Sequence, residues 1–441
     1  MNIVIAGFGW AGYEAAITCK ELDPKSKVTV ISKEPVPAYC RCGLTNAVVG
    51  EVSFEDLMLK PLEQYELMGI RVLLGYEAID VYEGVVRARE VSGCSEIKVP
   101  FDKLIIATGA EPTKPEIDNL DLQGAFHLRT LEDARAIASW ARSSRHAVVY
   151  GAGFLGLQIA DALSRLKLKT TIVEPKDEVM FSIMDSDVSL KLRKLLEAHG
   201  INVITSFKSG RLEGPLRVRR LCGEGFEVDC DIVVFATRVQ PNVDLAVRAG
   251  VRLGETGAIS VNERMETNVD NIYAAGDCVE VKELITGRPV KAQVATTAIR
   301  EARIAAINAL GGDERYEGTT LMALSKVLDV EIGVVGLSTP ICEKLGLDVV
   351  SALVESSAKA KYYPDKVLVK LIAERDGGRI VGAQFLGYAS HTRASLISFA
   401  IAKGLTVHDL ANLELAYYPS ITSTWDPLIV ASKQLVSMIK R

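Results

Sequence analysis

Long apolar runs are missing from this chain of 441 residues. None approaches the roughly 18 residues that a membrane span requires, so no span is expected. Charge of one sign is missing too. The 51 lysines and arginines nearly offset the 56 aspartates and glutamates, and the net charge of −5 gives no reason to expect nucleic acid as a partner. Histidine is scarce, five residues without clustered spacing. No second cysteine pair stands near the first at ligand spacing, so no metal site is expected. The eight cysteines mostly sit singly, which argues for a reducing, cytoplasmic setting rather than a disulfide framework. No basic stretch or cleavage site precedes the first apolar segment, so no secretory signal is expected. A hydrophobic content of 48% with 24% charged residues is that of a globular protein, and the length suits roughly three domains.

Against these absences stand two glycine fingerprints, Gly7-Phe8-Gly9-Trp10-Ala11-Gly12 and Gly151-Ala152-Gly153-Phe154-Leu155-Gly156. Each follows a short apolar strand (Asn2 to Ala6; His146 to Tyr150) and opens a segment with helical apolar spacing (Ala11 to Leu22; Leu155 to Leu168). In that setting the glycines let backbone approach a pyrophosphate, and the helix terminus offers free N–H groups and partial positive charge. One such run is weak evidence, since glycines also make ordinary turns. Two in correct context point to two dinucleotides.

Further strands are expected at Lys27 to Ile31, Lys103 to Ala107, Thr170 to Val173, Asn202 to Thr205, Asp231 to Ala236 and Asn271 to Asp277. Ser53 to Met68 reads as a polar-faced helix, and Val85 to Val99 as part of a small antiparallel insertion. Pro112 and Pro115 suit a linker. After Gly311-Gly312 the pattern changes to alternating strands (Ile332 to Leu337, Val367 to Ile372, Ile380 to Phe385) and two late helices, an α+β domain. The fold class expected is therefore α/β: two Rossmann-like nucleotide folds and a C-terminal α+β domain.

With these markers in place, the chain resembles the pyridine nucleotide–disulfide oxidoreductases that use one active cysteine, the family of coenzyme A disulfide reductases, NADH oxidases, NADH peroxidases and NADH-dependent sulfur reductases. The resemblance runs through the whole chain: the first fingerprint, Cys42-Gly43, Ala107-Thr108-Gly109, the second fingerprint, Tyr273-Ala274-Ala275-Gly276-Asp277, Tyr362-Tyr363-Pro364 and Leu415-Ala416-Tyr417 before Asp426-Pro427. It implies an FAD-binding domain over 1–112 and 240–315, an NAD(P)H-binding domain over 113–239 and a dimerisation domain over 319–441 that makes a homodimer. Gly7, Gly9 and Gly12 would meet the FAD pyrophosphate, Thr108 and Gly109 would lie near its adenine half, and Ala295 to Ala298 would cover the flavin at a helix start. Asp277, after Gly276, would contact the ribityl or pyrophosphate region; as a residue alone it reads equally as a helix N-cap. Gly151, Gly153 and Gly156 would hold the NAD(P)H pyrophosphate.

Several positions depart from the family pattern. Ser32, followed by Lys33, stands where an acid usually accepts hydrogen bonds from the FAD ribose. Glu174 keeps the equivalent acid of the second fold, and a carboxylate there binds a ribose diol and repels a 2′-phosphate, favouring NADH. Arg238 replaces a glycine and Gln158 a glutamate on the nicotinamide side. Trp10 replaces the histidine of NADH peroxidases, and an indole cannot take or give a proton in its place. Thr45 and Asn46 stand where Pro-Tyr often follows, so specific coenzyme A recognition is not implied. Tyr362 and Tyr417 resemble tyrosines that approach the active cysteine from the dimer partner. Tyr363 belongs to the same resemblance, a phenol there could donate a proton to a departing thiolate, and for Tyr363 and Tyr418 interface packing is an equal alternative.

Cys42 is the expected reactive residue. It precedes a helix start at Leu44 to Val49, where a thiolate would be stabilised by the helix terminus. Cys40 is the unusual feature. Two cysteines two apart can bond only where the backbone turns, so Cys40 is either the partner that resolves a sulfenate or persulfide on Cys42 or an inert neighbour. Cys222 and Cys230 flank the turn Gly223-Glu224-Gly225 and read as structural. The expected activity is reduction of a low-molecular-weight disulfide, persulfide or polysulfide by NADH through FAD and Cys42. Reduction of oxygen is the rival within the class. A flavoprotein with little turnover, serving as redox sensor or partner-binding subunit, is the rival outside it.

Overall fold

The computed structural model describes residues 1–207 and 209–439; Lys208, Lys440 and Arg441, inside two of the expected domain ranges, lie outside them. The chain divides into two compact units, Met1–Thr113 with Arg129–Ala134 and Arg238–Thr319, and Lys114–Leu128 with Arg135–Thr237 and Thr320–Arg441.

In the first unit a parallel sheet orders its strands Ile272–Ala274, Lys103–Ile106, Asn2–Ala6, Lys27–Ser32 and Ile70–Leu74. The central strand is apolar on both faces, with Ile3 and Ile5 fully buried, as a strand covered on both sides must be. Strand order reverses beside Asn2–Ala6, and the first fingerprint begins at that strand's carboxyl end, where open α/β sheets bind ligands. Helix Trp10–Leu22 packs against helix Ala295–Ala309. The small insertion is an antiparallel sheet of Tyr76–Tyr82, Val85–Glu90 and Glu96–Pro100.

Ser53 to Met68 is not one helix. The Asp56 carboxylate accepts from the Ser53 backbone and hydroxyl at 2.9 and 2.7 Å, closing a local turn. Only Leu62–Leu67 is helical, starting after Pro61. Short side-chain acceptors that capture nearby N–H groups compete with the helix ladder, and here they win.

The second unit repeats the plan with the order Ala125–His127, Ile232–Phe235, His146–Tyr150, Lys169–Val173 and Asn202–Ile204, all parallel. The reversal again falls beside the strand that precedes a fingerprint. Below it, Tyr150, Phe207 and Phe235 share a core with Val148 and Leu221. A five-stranded antiparallel sheet (Ala323–Val327, Val330–Gly336, Ile380–Gly387, Lys366–Glu374, Val349–Ser357) carries helices Ser390–Ala402 and Pro427–Met438. It is tied to the nucleotide fold by Asp185, 4% exposed. That carboxylate takes hydrogen bonds from Thr339 Oγ1 at 2.6 Å and Gln384 Nε2 at 2.7 Å and pairs with Lys370 at 2.8 Å. Among the described residues no helix is long and apolar enough to cross a membrane.

Candidate active site

The first fingerprint is a cradle that side chains would fill. Gly7 has φ +114°, and a Cβ there would stand 2.0 Å from the Ala107 carbonyl oxygen; one at Gly12 would stand 2.0 Å from the Gly7 oxygen. Gly9, the N-cap of helix Trp10–Leu22, carries no side-chain cap, so the first-turn N–H groups remain for an anion. A cavity of 390 Å³ adjoins it, lined among others by Gly7, Ile31, Lys33, Glu77 and Thr108. The residues fit the pyrophosphate and adenosine of a dinucleotide. Of the pair expected at the ribose, Lys33 lines this cavity, paired with Glu77 at 2.9 Å. Ser32 is buried, and its hydroxyl turns to the Glu34 carbonyl at 3.3 Å. Thr108 is locked to Asn242 by two hydrogen bonds of 2.6 and 3.1 Å, and Gly109 has φ +71°.

Gly276, φ +89°, donates its N–H at 2.7 Å to Glu301, a carboxylate 1% exposed. Burial pushes the Glu301 carboxyl well above the usual carboxylate range, the Gly276 N–H opposing and the charge of Asp277 adding to it. Asp277 does not cap a helix, since strand Val279–Lys282 follows it. Its carboxylate accepts from Arg129 Nη2 at 3.0 Å. Ala295 opens helix Ala295–Ala309, and Ala298 is buried on it.

The two thiols lie in the same unit. Arg41–Gly43 is a single 3-10 turn with Cys40 as its N-cap, followed directly by helix Leu44–Val49. The turn therefore starts before the helix that the sequence announces; the Cys40 side chain caps none of its N–H groups, and the Gly43 N–H donates to the Cys40 carbonyl at 3.1 Å. The neighbouring Cys42 thiol first, with the Gly43 and Cys42 N–H groups and against burial, brings the Cys40 thiol down to about 6. Cys42 moves the other way. Its thiol is pushed up first by the neighbouring Cys40 thiol, then by burial and by the charges of Cys40 and Asp277, with Arg129 opposing. Cys42 is solvent-exposed and Cys40 half-buried, yet enough protein surrounds the Cys42 sulfur to penalise its anion. Of the two thiols, Cys40 thus holds the anion more readily than Cys42 in the reduced pair, chiefly through the neighbouring thiol.

Arg41, between the thiols, is the residue sequence reasoning missed. Its guanidinium donates to the Tyr39 hydroxyl at 2.7 Å and the Arg129 carbonyl at 2.9 Å, and pairs with Glu34. Tyr39 in turn donates to Glu34 at 2.7 Å and accepts the Leu131 N–H at 3.0 Å. The Arg41 Nε lies 4.0 Å from where a Gly9 Cβ would stand, so this cation flanks the cradle. Trp10 packs edge-on against Tyr13, centroids 6.1 Å apart, a packing role.

In the second unit a Cβ at Gly156 would stand 1.9 Å from the Gly151 oxygen, while Gly153 faces open space as an uncapped N-cap. Glu174 holds this fingerprint from behind, accepting from the Ala152 N–H at 2.6 Å, and holds its own loop by accepting from the Lys176 N–H at 2.9 Å. Gln158 donates to Ser325 Oγ at 2.9 Å. Arg238, in the first unit, keeps an exposed side chain while its carbonyl accepts the Thr113 N–H at 2.8 Å. Cys222 and Cys230 are buried free thiols. The Ala360 N–H donates to the Pro419 carbonyl at 3.1 Å, which joins the Tyr362-Tyr363 turn to the Tyr417-Tyr418 segment. Tyr362, Tyr417, Tyr418, Ile421 and Trp425 are at least half exposed, an apolar face that calls for a covering surface.

Two nucleotide cradles, a thiol pair beside Asp277 and an uncovered C-terminal face define a flavin- and pyridine-nucleotide-dependent oxidoreductase. The chain belongs to the pyridine nucleotide-disulphide oxidoreductase family, whose model matches residues 1–302, with the family's dimerisation domain over residues 322–428. It is 33% identical to an NADH oxidase of Methanocaldococcus jannaschii, over 100% of this chain and 99% of the relative. It is equally 33% identical to a CoA-dependent NAD(P)H sulfur oxidoreductase of Pyrococcus furiosus, over 98% and 99%. Among solved structures, an NAD-dependent persulfide reductase from A. fulgidus superimposes with a TM-score of 0.95 at 34% identity, covering 99% of this chain and 83% of that one.

Proposed function

We propose that this protein is an FAD-dependent NADH oxidoreductase that reduces a low-molecular-weight disulfide, persulfide or polysulfide at Cys42. The observation that carries this reading is the exposed Cys42 thiol, beside Cys40 on one short turn and within reach of the charges of Asp277 and Arg129. The names of the sulfur- and persulfide-reducing relatives support the substrate class. The chemistry a bound FAD supplies is two-electron transfer between the nicotinamide and a sulfur–sulfur bond.

The chain's own residues do the rest. Gly7, Gly9, Gly12 and the helix terminus behind them hold a pyrophosphate; Lys33, Thr108, Gly109 and Asp277 position the remainder of the dinucleotide. Glu174 rejects a 2′-phosphate by charge, so NADH is preferred over NADPH. Tyr417 and Tyr362 protonate the departing thiolate once a second copy covers the C-terminal face. A reducing cytoplasm suits the free thiols.

The test is an anaerobic mixture of the yellow holoprotein with NADH or NADPH, followed by polysulfide or a small disulfide. Fast bleaching of the flavin by NADH and reoxidation by the sulfur substrate, lost in Cys42→Ser, is the expected result. No bleaching by either nucleotide points to a sensor or partner-binding flavoprotein. The relative named NADH oxidase favours a second reading, oxygen reduction. Consumption of NADH with oxygen alone, unchanged in Cys42→Ser, establishes it instead.

A further inference from the structure

We propose that Cys40 and Cys42 work as a dithiol–disulfide couple, in which Cys42 takes the substrate sulfur and Cys40 releases it by closing a disulfide between them. The inference rests on the proposed sulfur chemistry at Cys42 and adds a covalent step within the chain.

Four observations carry it. The first is reach. The Cα separation of residues two apart depends on the φ and ψ of the residue between them, and Arg41 is helical. Helix geometry puts such atoms about 5.4 Å apart, inside the roughly 4.4–6.8 Å that a disulfide spans. Second, the two sulfurs are close enough to act on each other, Cys42 lowering the Cys40 thiol and Cys40 raising the Cys42 thiol. Third, the turn is held before any substrate arrives: Arg41 is fixed to Tyr39, Glu34 and the Arg129 carbonyl, and the Cys40 N–H donates to the Leu57 carbonyl at 2.8 Å. Fourth, the two sulfurs are placed unequally. Cys42 is exposed to solvent, whereas Cys40 is half-buried at the N-cap of the turn.

The step balances within the pair. In the reduced state the two sulfurs share one proton and one negative charge. Attack by Cys42 on a disulfide RSSR passes the Cys42 proton to Cys40, forms the mixed disulfide Cys42–S–S–R and expels RS⁻. Cys40 then attacks the Cys42 sulfur, the Cys42–SR bond breaks, and the proton leaves with RSH. The pair loses two electrons and RSSR gains them. With a persulfide RSSH, Cys42 takes the outer sulfur and expels RS⁻, and closure by Cys40 releases H₂S. Return of the pair to the dithiol needs two electrons, which the family's NAD(P)H chemistry supplies. A thiol held within bonding distance is a far better resolving group than a second solution thiol, because the attack is intramolecular.

The experiment uses holoprotein whose thiols have been reduced with a phosphine, then desalted and mixed anaerobically with one equivalent of bis(2-hydroxyethyl) disulfide, without nucleotide. Intact mass should fall by two hydrogens with no adduct, and two thiols should be released per chain. Trypsin cuts after Arg41, so the peptides bearing Cys40 and Cys42 should stay joined until a reductant is added. Cys40→Ser should stop at an adduct on Cys42, releasing one thiol, with that adduct decaying at least about tenfold more slowly. Unchanged flavin absorbance and oligomer size identify this variant as folded; should it fail to fold, the wild-type mass and the tryptic linkage decide alone. A stable wild-type adduct on Cys42, with Cys40 still free to be alkylated, overturns the couple and leaves the single-thiol reading standing. Consumption of the disulfide by Cys42→Ser at the wild-type rate overturns both.

Discussion

Arg129 and Asp277, 148 residues apart, form an ion pair at 3.0 Å, and the Arg129 carbonyl also receives Arg41 from the turn between the two thiols. The reactive turn is thereby joined to the acid that follows Gly276 through one arginine, which uses its side chain for one partner and its backbone for the other.

Arg41→Ala removes a guanidinium that serves Glu34, Tyr39 and Arg129. Glu34 then keeps a partly buried charge without its cation, and the fold should lose about 1–3 kcal/mol. Urea unfolding of the single variants and of the double variant Glu34→Ala/Arg41→Ala checks this. The double should cost less than the sum of the singles, because the second substitution removes the stranded charge. Strict additivity sinks the idea of a coupled network.

The thiol pair should titrate as a unit. Cys40 is depressed to about 6 by the Cys42 thiol and the turn amides, while Cys42 is raised. Alkylation should therefore show one step well below the ordinary thiol value of about 8.5 and a second above it. Cys42→Ala removes the principal group that lowers Cys40 and should move the early step up toward that value. The sign for stability follows. A depressed folded pKa stabilises the protein above the unfolded value and loses that stabilisation as pH falls through about 6. An early step that stays in place in Cys42→Ala contradicts a pair that titrates as a unit.

Glu301 behaves in the opposite sense. Its buried carboxyl is raised well above the usual range, so its folded state favours the neutral form. Relative stability is fully present below the unfolded value of about 4.3 and is lost as pH rises through the raised folded value. Glu301→Gln keeps an acceptor for the Gly276 N–H and cannot ionise. Its melting temperature should exceed that of wild type in alkaline buffer, the gap closing toward pH 4. Glu301→Leu leaves the Gly276 N–H unpaired and should cost about 1–3 kcal/mol at every pH. Parallel pH profiles for wild type and Glu301→Gln contradict an ionising carboxyl there.

What could be read in the sequence was whatever local sterics or continuous burial dictate. Gly7 and Gly151 need positive φ and close carbonyl approach, and strands such as Ile3 to Ala6 must be apolar on both faces. The helix expected over Ser53 to Met68 failed because Ser53, Asp56 and Pro61 act on backbone within a few residues, against a periodicity read over sixteen. Strand Ala125–His127 is three residues long, too short for any period to register. The helix start at Leu44 is legible and stands there; the 3-10 turn Arg41–Gly43 before it has no apolar signature, so nothing in the sequence marks it. Arg41 with Arg129 was illegible in principle, since the contact joins positions 88 apart that only the fold brings together.

Glu174 offers the last test, because one carboxylate is asked to do two things. It holds the second fingerprint through the Ala152 N–H and its own loop through the Lys176 N–H, and in the proposed reaction it favours NADH over NADPH. Glu174→Gln removes the charge but keeps an oxygen for one of the two N–H groups. If charge sets the preference, KM for NADPH should fall relative to KM for NADH by at least about tenfold, since one unfavourable charge contact is worth about 1–2 kcal/mol. The melting temperature of the apoprotein should drop only slightly. Glu174→Ala strips both N–H groups of their acceptor and should lower that melting temperature further, while raising KM for both nucleotides as the fingerprint loosens. Steady-state kinetics with each nucleotide, set beside thermal unfolding, separate the two effects. An unchanged NADH-to-NADPH ratio in Glu174→Gln, with stability intact, would assign the carboxylate to holding the fingerprint and leave the nucleotide preference to other residues.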